Sequence, residues 1–384
     1  MNIYAVNWQF WFTFLAIILT LISIFFTFEN WKTLRLFMML QKRARHSRQL
    51  IPTTKGGIAH VIYNPTKNVD FRELKEKVAI VASQTGMQPP KWVPTTVEDS
   101  GYKMAINAVK EKASLVITAG GDGTVRAVAA GLCSSGIPMG VLPVGTTNLL
   151  YRNLGLPLND LDEAISIALT GRNRQIDMGW MQIVDPENEN VISNNTMTNA
   201  MSDSGQDPKE FAFLIMAGMG FDGDIMNNVP QEMKKSVGWF AYVWSALKNL
   251  RKDRINLKMS IGDNDNYSSF KARTVLFANC GYLPGNIALL PEARVDDGWL
   301  EIAIIDIKSR IMGWMSIAVK VILQSISIRT HIPKIMGRLE ILRTHKAHLL
   351  ADEYQNIQID GEAMGKAKEV KIRVQSEALI VRTI

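Results

Sequence analysis

Leu115-Val-Ile-Thr-Ala-Gly-Gly-Asp-Gly-Thr124 is the stretch whose reading decides the fold. Five β-prone residues lead into three glycines wrapped around Asp122, and the pattern turns helical from Val125 to Leu132. A buried strand that ends in a glycine-rich turn at a helix N-terminus can grip phosphate. The glycines let backbone N–H groups approach the oxygens, and the helix dipole favours negative charge there. A turn serving anions alone would not hold a carboxylate, so Asp122 is expected to work with a cation or a hydroxyl, although a turn Asp also commonly caps the following helix. One strand later comes a second glycine turn, Val141-Leu-Pro-Val-Gly-Thr-Thr-Asn-Leu149, again ending in hydroxyl and amide side chains. Either loop alone would pass for an ordinary βα turn. Two at this spacing, one carrying a carboxylate, point to a nucleotide site.

Around these turns strand and helix alternate. Strands are expected at Ile58–Tyr63, Trp92–Pro94, Leu115–Thr118 and Met139–Pro143, with helices over 70–82, 101–112, 124–133 and 160–171. Such alternation predicts a doubly wound parallel sheet with ligands at the C-terminal ends of its strands. Asn64-Pro65-Thr66 and Thr95-Thr96 both follow strands in this way. From about Gln175 the chain becomes strand-rich, with apolar or alternating segments at 181–184, 211–216, 257–261, 272–279, 300–305, 357–359, 370–374 and 379–381. These fit an antiparallel sandwich. The fold class expected is therefore an α/β N-terminal lobe and a β-sandwich-type second lobe, preceded by one transmembrane helix. The domains would be 1–30, 31–55, 56–175 and 176–384.

The transmembrane expectation rests on Trp8 to Phe28, 21 residues without a charge, where about 20 apolar residues suffice to span a bilayer. Trp8, Trp11 and Trp31 flank it as interfacial tryptophans do. A cleaved signal peptide would need a basic start and a small-residue cleavage site, and neither is present. Lys32, Arg35, Lys42, Arg43, Arg45 and Arg48 all follow the span, which would place the rest of the chain in the cytoplasm. Whether residues 30–55 dimerise stays open, so a homodimer is one expectation. The formal charge of +7, with its basic cluster beside an apolar segment, favours an anionic membrane surface as partner over nucleic acid. The stretch from Met226 to Leu257 mixes lysines and arginines with Trp239, Phe240, Tyr242 and Trp244, and reads equally as a membrane-contacting helix or a half-buried one. Hydrophobic residues at 47% and charged ones at 21% exclude a disordered chain. The two cysteines, Cys133 and Cys280, lack metal-binding spacing.

Gly120-Gly-Asp-Gly-Thr124, Leu142-Pro-Val-Gly-Thr-Thr-Asn148 and Arg152-Asn-Leu-Gly-Leu-Pro157 together resemble the diacylglycerol kinase catalytic domain, whose family includes sphingosine kinases and bacterial lipid kinases. Gly218-Met-Gly-Phe-Asp-Gly223, the segment from Gly285 to Pro291, Asp296-Asp-Gly-Trp-Leu300 and Asp360-Gly-Glu362 extend the resemblance in the family's order to the C-terminus. The pentapeptide alone is shared with NAD kinases and phosphofructokinases. The later blocks single out the lipid-kinase branch.

That resemblance implies an ATP- and Mg²⁺-dependent transfer of the γ-phosphate to a lipid hydroxyl, diacylglycerol by default. Such chemistry needs a phosphate cradle, a bridging cation and a base. Gly120, Gly121, Gly123 and Thr124, with Gly145, Thr146 and Asn148, would form the cradle. Asn64, Pro65 and Thr66 correspond to the family's Asn-Pro nucleotide motif, and Thr95 and Thr96 to its adenine side. Lys67-Asn68 replaces the family's usual Ser-Gly after Asn-Pro. Asp122 would orient the Mg-nucleotide or the acceptor hydroxyl, and either Asp360 or Glu362 would be the base. By composition alone, Asp360-Gly361 also fits a plain hairpin turn. As in bacterial members, Asp297 with the carbonyls of Arg294 and Trp299 would hold a structural Mg²⁺. Arg152 and Asp222 are assigned to the acceptor side, where Leu149 and Tyr151 depart from the common Asp and Ala. Two other readings are an NAD-kinase-like enzyme with a soluble acceptor and a nucleotide- or lipid-binding membrane protein without catalysis.

Overall fold

Four short apolar segments pair in parallel. They are β1 (Ala59–Tyr63), β2 (Lys91–Pro94), β3 (Leu115–Ala119) and β4 (Met139–Leu142), in the spatial order β2-β1-β3-β4. All five residues of β3 and all four of β4 are buried, as continuous apolar strands covered on both faces must be. The computed structural model describes residues 57–188, 210–220, 254–264, 266–283, 287–307 and 337–384. Helices α1 (Phe71–Gln84), α2 (Tyr102–Lys110), α3 (Asp122–Leu132), α4 (Leu149–Asn153) and α5 (Leu161–Thr170) connect or follow these strands. Asp70 caps α1 by accepting the N–H groups of Arg72 and Glu73, and Asp160 caps α5 through Glu163 N–H. α2 packs on α3 and α1 on α5. The chain winds outward from β1 to β2, then returns to β3 and β4, so the ends of β1 and β3 adjoin at a switch point, where ligands of such sheets bind. There Asn64 N–H donates to the Ala119 carbonyl at 2.9 Å.

The remaining strands are β5 (Arg172–Pro186), β6 (Glu210–Phe213), β7 (Met216–Met219), β8 (Ile255–Ile261), β9 (Ser268–Ala272), β10 (Thr274–Ala278), β11 (Tyr282–Leu283), β12 (Ile287–Ala288), β13 (Leu300–Ile307), β14 (Gly337–Thr344), β15 (Lys346–Ile359) and β16 (Glu362–Thr383). Strand β16, 22 residues long, pairs antiparallel with β15 and β5. Near its end Val381 lies parallel to Met139 of β4. That pairing fuses everything except β11 and β12 into one 14-stranded sheet running β14-β13-β10-β7-β15-β16-β4-β3-β1-β2, with β5, β6, β8 and β9 branching from it. Two apolar cores result. One lies around the parallel strands and their helices, and the other contains Phe211, Phe277, Leu349 and Ile359.

The fold class expected from sequence is corrected here. The described chain is a mixed, sheet-dominated α/β fold in which the parallel strands and the later, largely antiparallel strands are joined in one 14-stranded sheet rather than standing as separate sheets. The physical reason is the length of β5 and β16. Only 181–184 of β5, and only 370–374 and 379–381 of β16, are expected as strand from the sequence, yet their ladder runs on through irregular points such as the register shift between Gln375 and Leu379. The transmembrane helix is not part of the corrected fold either. No described helix is long and apolar enough to cross a membrane, and Trp8–Phe28, the basic linker after it and Met226–Lys252 lie outside the described residues.

On β13, Glu301 stands opposite Arg343 of β14, with Nε and Oε1 3.0 Å apart. Burial pushes the Glu301 carboxyl upward in pKa, and the Arg343 cation only partly offsets this. A folded-state pKa above the unfolded one contributes stability that is full below the ordinary glutamate value and is lost as pH rises through the raised value. Thermal melts should therefore show the melting temperature of Glu301→Gln gaining on wild type as pH rises through that window. A difference between the two proteins that does not change with pH would contradict this.

Candidate active site

The two glycine turns meet backbone to backbone. A Cβ on Gly145 would lie 2.9 Å from Gly121 Cα and 3.0 Å from the Gly120 carbonyl oxygen, and one on Gly120 would strike Thr124 at 2.5 Å. Only glycine permits this closeness. Asn148 shapes the second turn from a left-handed backbone conformation, φ 49°. Its Oδ1 accepts Gly145 N–H at 3.0 Å, and its amide donates to the carbonyls of Pro143 and Gly145 at 3.1 and 2.8 Å. Asn is among the few residues that tolerate this conformation.

Asp122 joins the turns. Its Oδ1 accepts Leu149 N–H at 2.7 Å, and its Oδ2 accepts the Thr147 hydroxyl. The carboxylate expected to serve a metal or acceptor is thus engaged in positioning the second turn. Gly121 is the N-cap of α3 and makes no side-chain cap bond, so the leading N–H groups of this helix have no capping side chain. Thr147, bonded to Asp122, was not singled out from sequence, although it stood inside the quoted motif. Arg152 donates from Nε to the Thr147 carbonyl at 2.7 Å and so braces the same loop. Thr146 is exposed beside it.

The first-strand loop closes through Asn64, whose Oδ1 accepts both the N–H and the hydroxyl of Thr66 at 3.0 and 2.8 Å. Pro65 and Thr66 are exposed. Thr95 N–H donates to the Tyr63 carbonyl at 2.8 Å, which brings the end of β2 beside that of β1, and Thr96 starts a turn with Asp99. The nucleotide-side residues expected from sequence therefore line the ends of β1, β2, β3 and β4.

The hairpin between β15 and β16 brings the other two carboxylates. Asp360, at φ 46°, accepts three backbone N–H bonds, from Leu214 at 2.9 Å, Ile215 at 2.9 Å and Met216 at 3.0 Å. Burial raises its pKa, while Arg126 and the three N–H groups pull the other way. Glu362 has its side chain 52% exposed and pairs with the guanidinium of Arg126. A Cβ on Gly123 would meet Glu362 Oε1 at 2.8 Å, so this carboxylate stands directly over the first glycine turn. Arg126, only 2% exposed, also donates to the Ile359 carbonyl at 2.8 Å. Sequence reading missed it, and its signal was a lone cation in the apolar run from Val125 to Leu132.

The expected structural-metal turn is organised differently. Asp297 accepts Trp299 N–H at 3.1 Å and pairs with Arg343, while Asp296 pairs with Arg174 at 2.7 Å. Buried Asp177 accepts the N–H groups of Gly298 and Glu377 at 2.6 and 2.8 Å. The carboxylates of Asp296 and Asp297 both face guanidiniums, and no group of three or more acidic, His or Cys residues suited to a metal occurs among the described residues. A cation held by Asp297 would share that carboxylate with Arg343 or displace it. No contact of the Arg294 carbonyl supports the assignment, and Asp222 lies outside the described residues.

If Asp122 acts by positioning, Asp122→Ala loses two charge-assisted hydrogen bonds, each of roughly 1.5–3 kcal/mol, and should lower both stability and nucleotide affinity. A chemical-denaturation curve unchanged from wild type, with activity abolished, would instead show Asp122 acting directly on the reactants.

Residues 58–181 match the diacylglycerol kinase catalytic domain, and residues 216–383 match the YegS C-terminal NAD kinase beta sandwich-like domain. A diacylglycerol kinase of Staphylococcus epidermidis is 26% identical over 251 residues, 65% of this chain and 70% of its own. One from Bacillus subtilis is 26% identical over 255 residues, 64% and 73% of the two chains. In fold, the crystal structure of a diacylglycerol kinase from Bacillus anthracis superposes with a TM-score of 0.62 at 20% identity, covering 86% of this chain and 98% of that one. The chain thus carries a diacylglycerol-kinase-like catalytic domain followed by a YegS-type sandwich-like domain, and its relatives include bacterial proteins named diacylglycerol kinase.

Proposed function

We infer that this protein transfers the γ-phosphate of ATP to the hydroxyl of a lipid, with diacylglycerol as the first acceptor to test. The observation that carries the reading is the placement of Glu362 over the glycine turn. A phosphate cradle and a carboxylate able to take a hydroxyl proton thereby occupy one site. The diacylglycerol kinase match over the cradle and the named relatives support the acceptor class.

In this mechanism the phosphates lie on the N–H groups at the start of α3, where the helix dipole and the glycine backbone stabilise negative charge. Asp122, Asn148 and Thr147 hold the second turn against the first. Mg²⁺ bound with the nucleotide would neutralise phosphate charge, and Asp122 and Glu362 are the described carboxylates beside the cradle that would hold it. Of the two carboxylates at the hairpin, Glu362 is assigned the base. It is half-exposed and meets the turn, whereas both oxygens of Asp360 are occupied by backbone N–H groups. Asp360 instead fixes the hairpin that aims Glu362. Arg126 orients Glu362 by pairing with its carboxylate.

The test is ATP- and Mg²⁺-dependent phosphorylation by the purified full chain in detergent, with diacylglycerol, sphingosine and NAD as separate acceptors. Glu362→Gln should lower kcat on the lipid by about 10²–10⁴, the usual contribution of a general base, and, because it takes the charged partner from buried Arg126, lower the melting temperature while the protein stays folded at the assay temperature. Asp360→Asn presents an NH₂ group to N–H donors and should lower the melting temperature as well as the activity. Transfer to NAD alone would overturn the lipid assignment. A Glu362→Gln enzyme of undiminished kcat would overturn the choice of base.

A further inference from the structure

We propose that Lys67 is a phosphate-binding residue of this site, a cation that closes on the nucleotide's phosphates across the first glycine turn. The proposal rests on the kinase reading above and adds to it a contact that the glycine cradle alone does not supply.

The ammonium of Lys67 lies 3.2 Å, and its Cε 3.5 Å, from where a Cβ on Gly121 would stand. The aim of the side chain is built by backbone. Lys67 N–H returns to the Asn64 carbonyl at 3.2 Å, the Lys67 carbonyl accepts Val69 N–H at 2.9 Å, and Asn64 N–H is fastened to Ala119, the residue before Gly120. The loop after β1 is therefore tied to the end of β3, and its lysine is turned over the glycine that caps α3. Among the described residues the Lys67 ammonium has no carboxylate or hydrogen-bond partner. Other cations among the described residues do: Arg126 pairs with Glu362, Lys77 with Glu73 and Asp162, and Lys91 with Glu111.

This placement is electrostatically unfavourable by itself. The N-terminus of α3 carries the positive end of the helix dipole, which repels an ammonium. The two nearby carboxylates are committed elsewhere, Asp122 to Thr147 and the Leu149 N–H, and Glu362 to Arg126. An anion lying between the helix end and the ammonium turns repulsion into attraction on both sides. A polyphosphate fits that description, since lysine binds phosphate as a flexible point charge.

The experiment is calorimetric titration of the full-length protein with ATP, ADP, AMP and tripolyphosphate in the presence of Mg²⁺, comparing wild type, Lys67→Met and Lys67→Arg. Methionine keeps the apolar stem and removes the charge. The proposal predicts that Lys67→Met weakens ATP and tripolyphosphate binding about tenfold or more, as loss of a charge-assisted contact does. It also predicts that AMP affinity is nearly unchanged, that the salt dependence of ATP binding becomes shallower, and that Lys67→Arg stays within a few-fold of wild type. A melting temperature shared with wild type would show that Lys67→Met is folded. If wild type binds ATP and Lys67→Met binds it as tightly, the Lys67 assignment fails and the kinase reading stands. If wild type binds neither ATP nor tripolyphosphate, both fail together.

Discussion

A guanidinium buried in an apolar helix is the contact on which the site depends. Arg126 leaves α3 one turn after the glycine loop, donates to the carbonyl that ends β15 and pairs with the carboxylate that begins β16. Taking such a charge out of water costs several kcal/mol, so it persists only when paired and hydrogen-bonded. The result is that the nucleotide-type turn and the Asp-Gly-Glu hairpin, more than 230 residues apart in sequence, as the separation of 236 between Arg126 and Glu362 shows, cannot drift independently. The sheet reinforces this, because β16 starts at Glu362 over the glycine turn and near its other end sets Val381 beside β4.

Polar groups at the site are arranged to hold backbone as much as to meet a ligand. Asp122 and Asn148 spend their acceptors on the second glycine turn, and Asp360 spends its own on residues 214–216. Each is a short acceptor placed where N–H groups would otherwise have no partner, which is how irregular backbone near a site stays fixed. Such pre-organisation leaves the leading N–H groups of α3, the Glu362 carboxylate and the Lys67 ammonium to face whatever binds. A helix N-terminus with free leading N–H groups, flanked by the cations Lys67 and Arg126 and the carboxylates Asp122 and Glu362, suits an anionic group next to a hydroxyl better than it suits a hydroxyl alone.

Much of this was legible in sequence, and the limits have physical causes. Strands β1, β3 and β4 and their helices were read nearly to the residue, because short apolar runs bounded by Gly, Pro and Asp carry an unambiguous local signal. The turns at 120–124 and 145–148 and the hairpin at 360–362 were found as motifs. What they touch was not. Whether Asp122 meets a metal or a neighbouring N–H depends on a contact 27 residues away, and no local pattern encodes it. The single 14-stranded sheet was missed because β16 contains polar residues and a register shift that break its periodicity. The pairing of Asp297 with Arg343 was not foreseen because that arginine comes from a strand that gives no clear signal in sequence. In sequence Lys67 is only a departure from a family pattern, and its position over Gly121 is what motivates the proposed phosphate contact.

The central claim is that the α3 N-terminus and Glu362 share one phosphate-transfer site. The most direct measurement is a crystal structure of the full chain with a non-hydrolysable ATP analogue and Mg²⁺. The account predicts the β- and γ-phosphates on the N–H groups of residues 121–124, with the Glu362 carboxylate facing the γ-phosphate across the space an acceptor hydroxyl would fill. A nucleotide bound elsewhere, or bound at the turn with Glu362 swung away and Asp360 released from residues 214–216 to face the γ-phosphate, would contradict it.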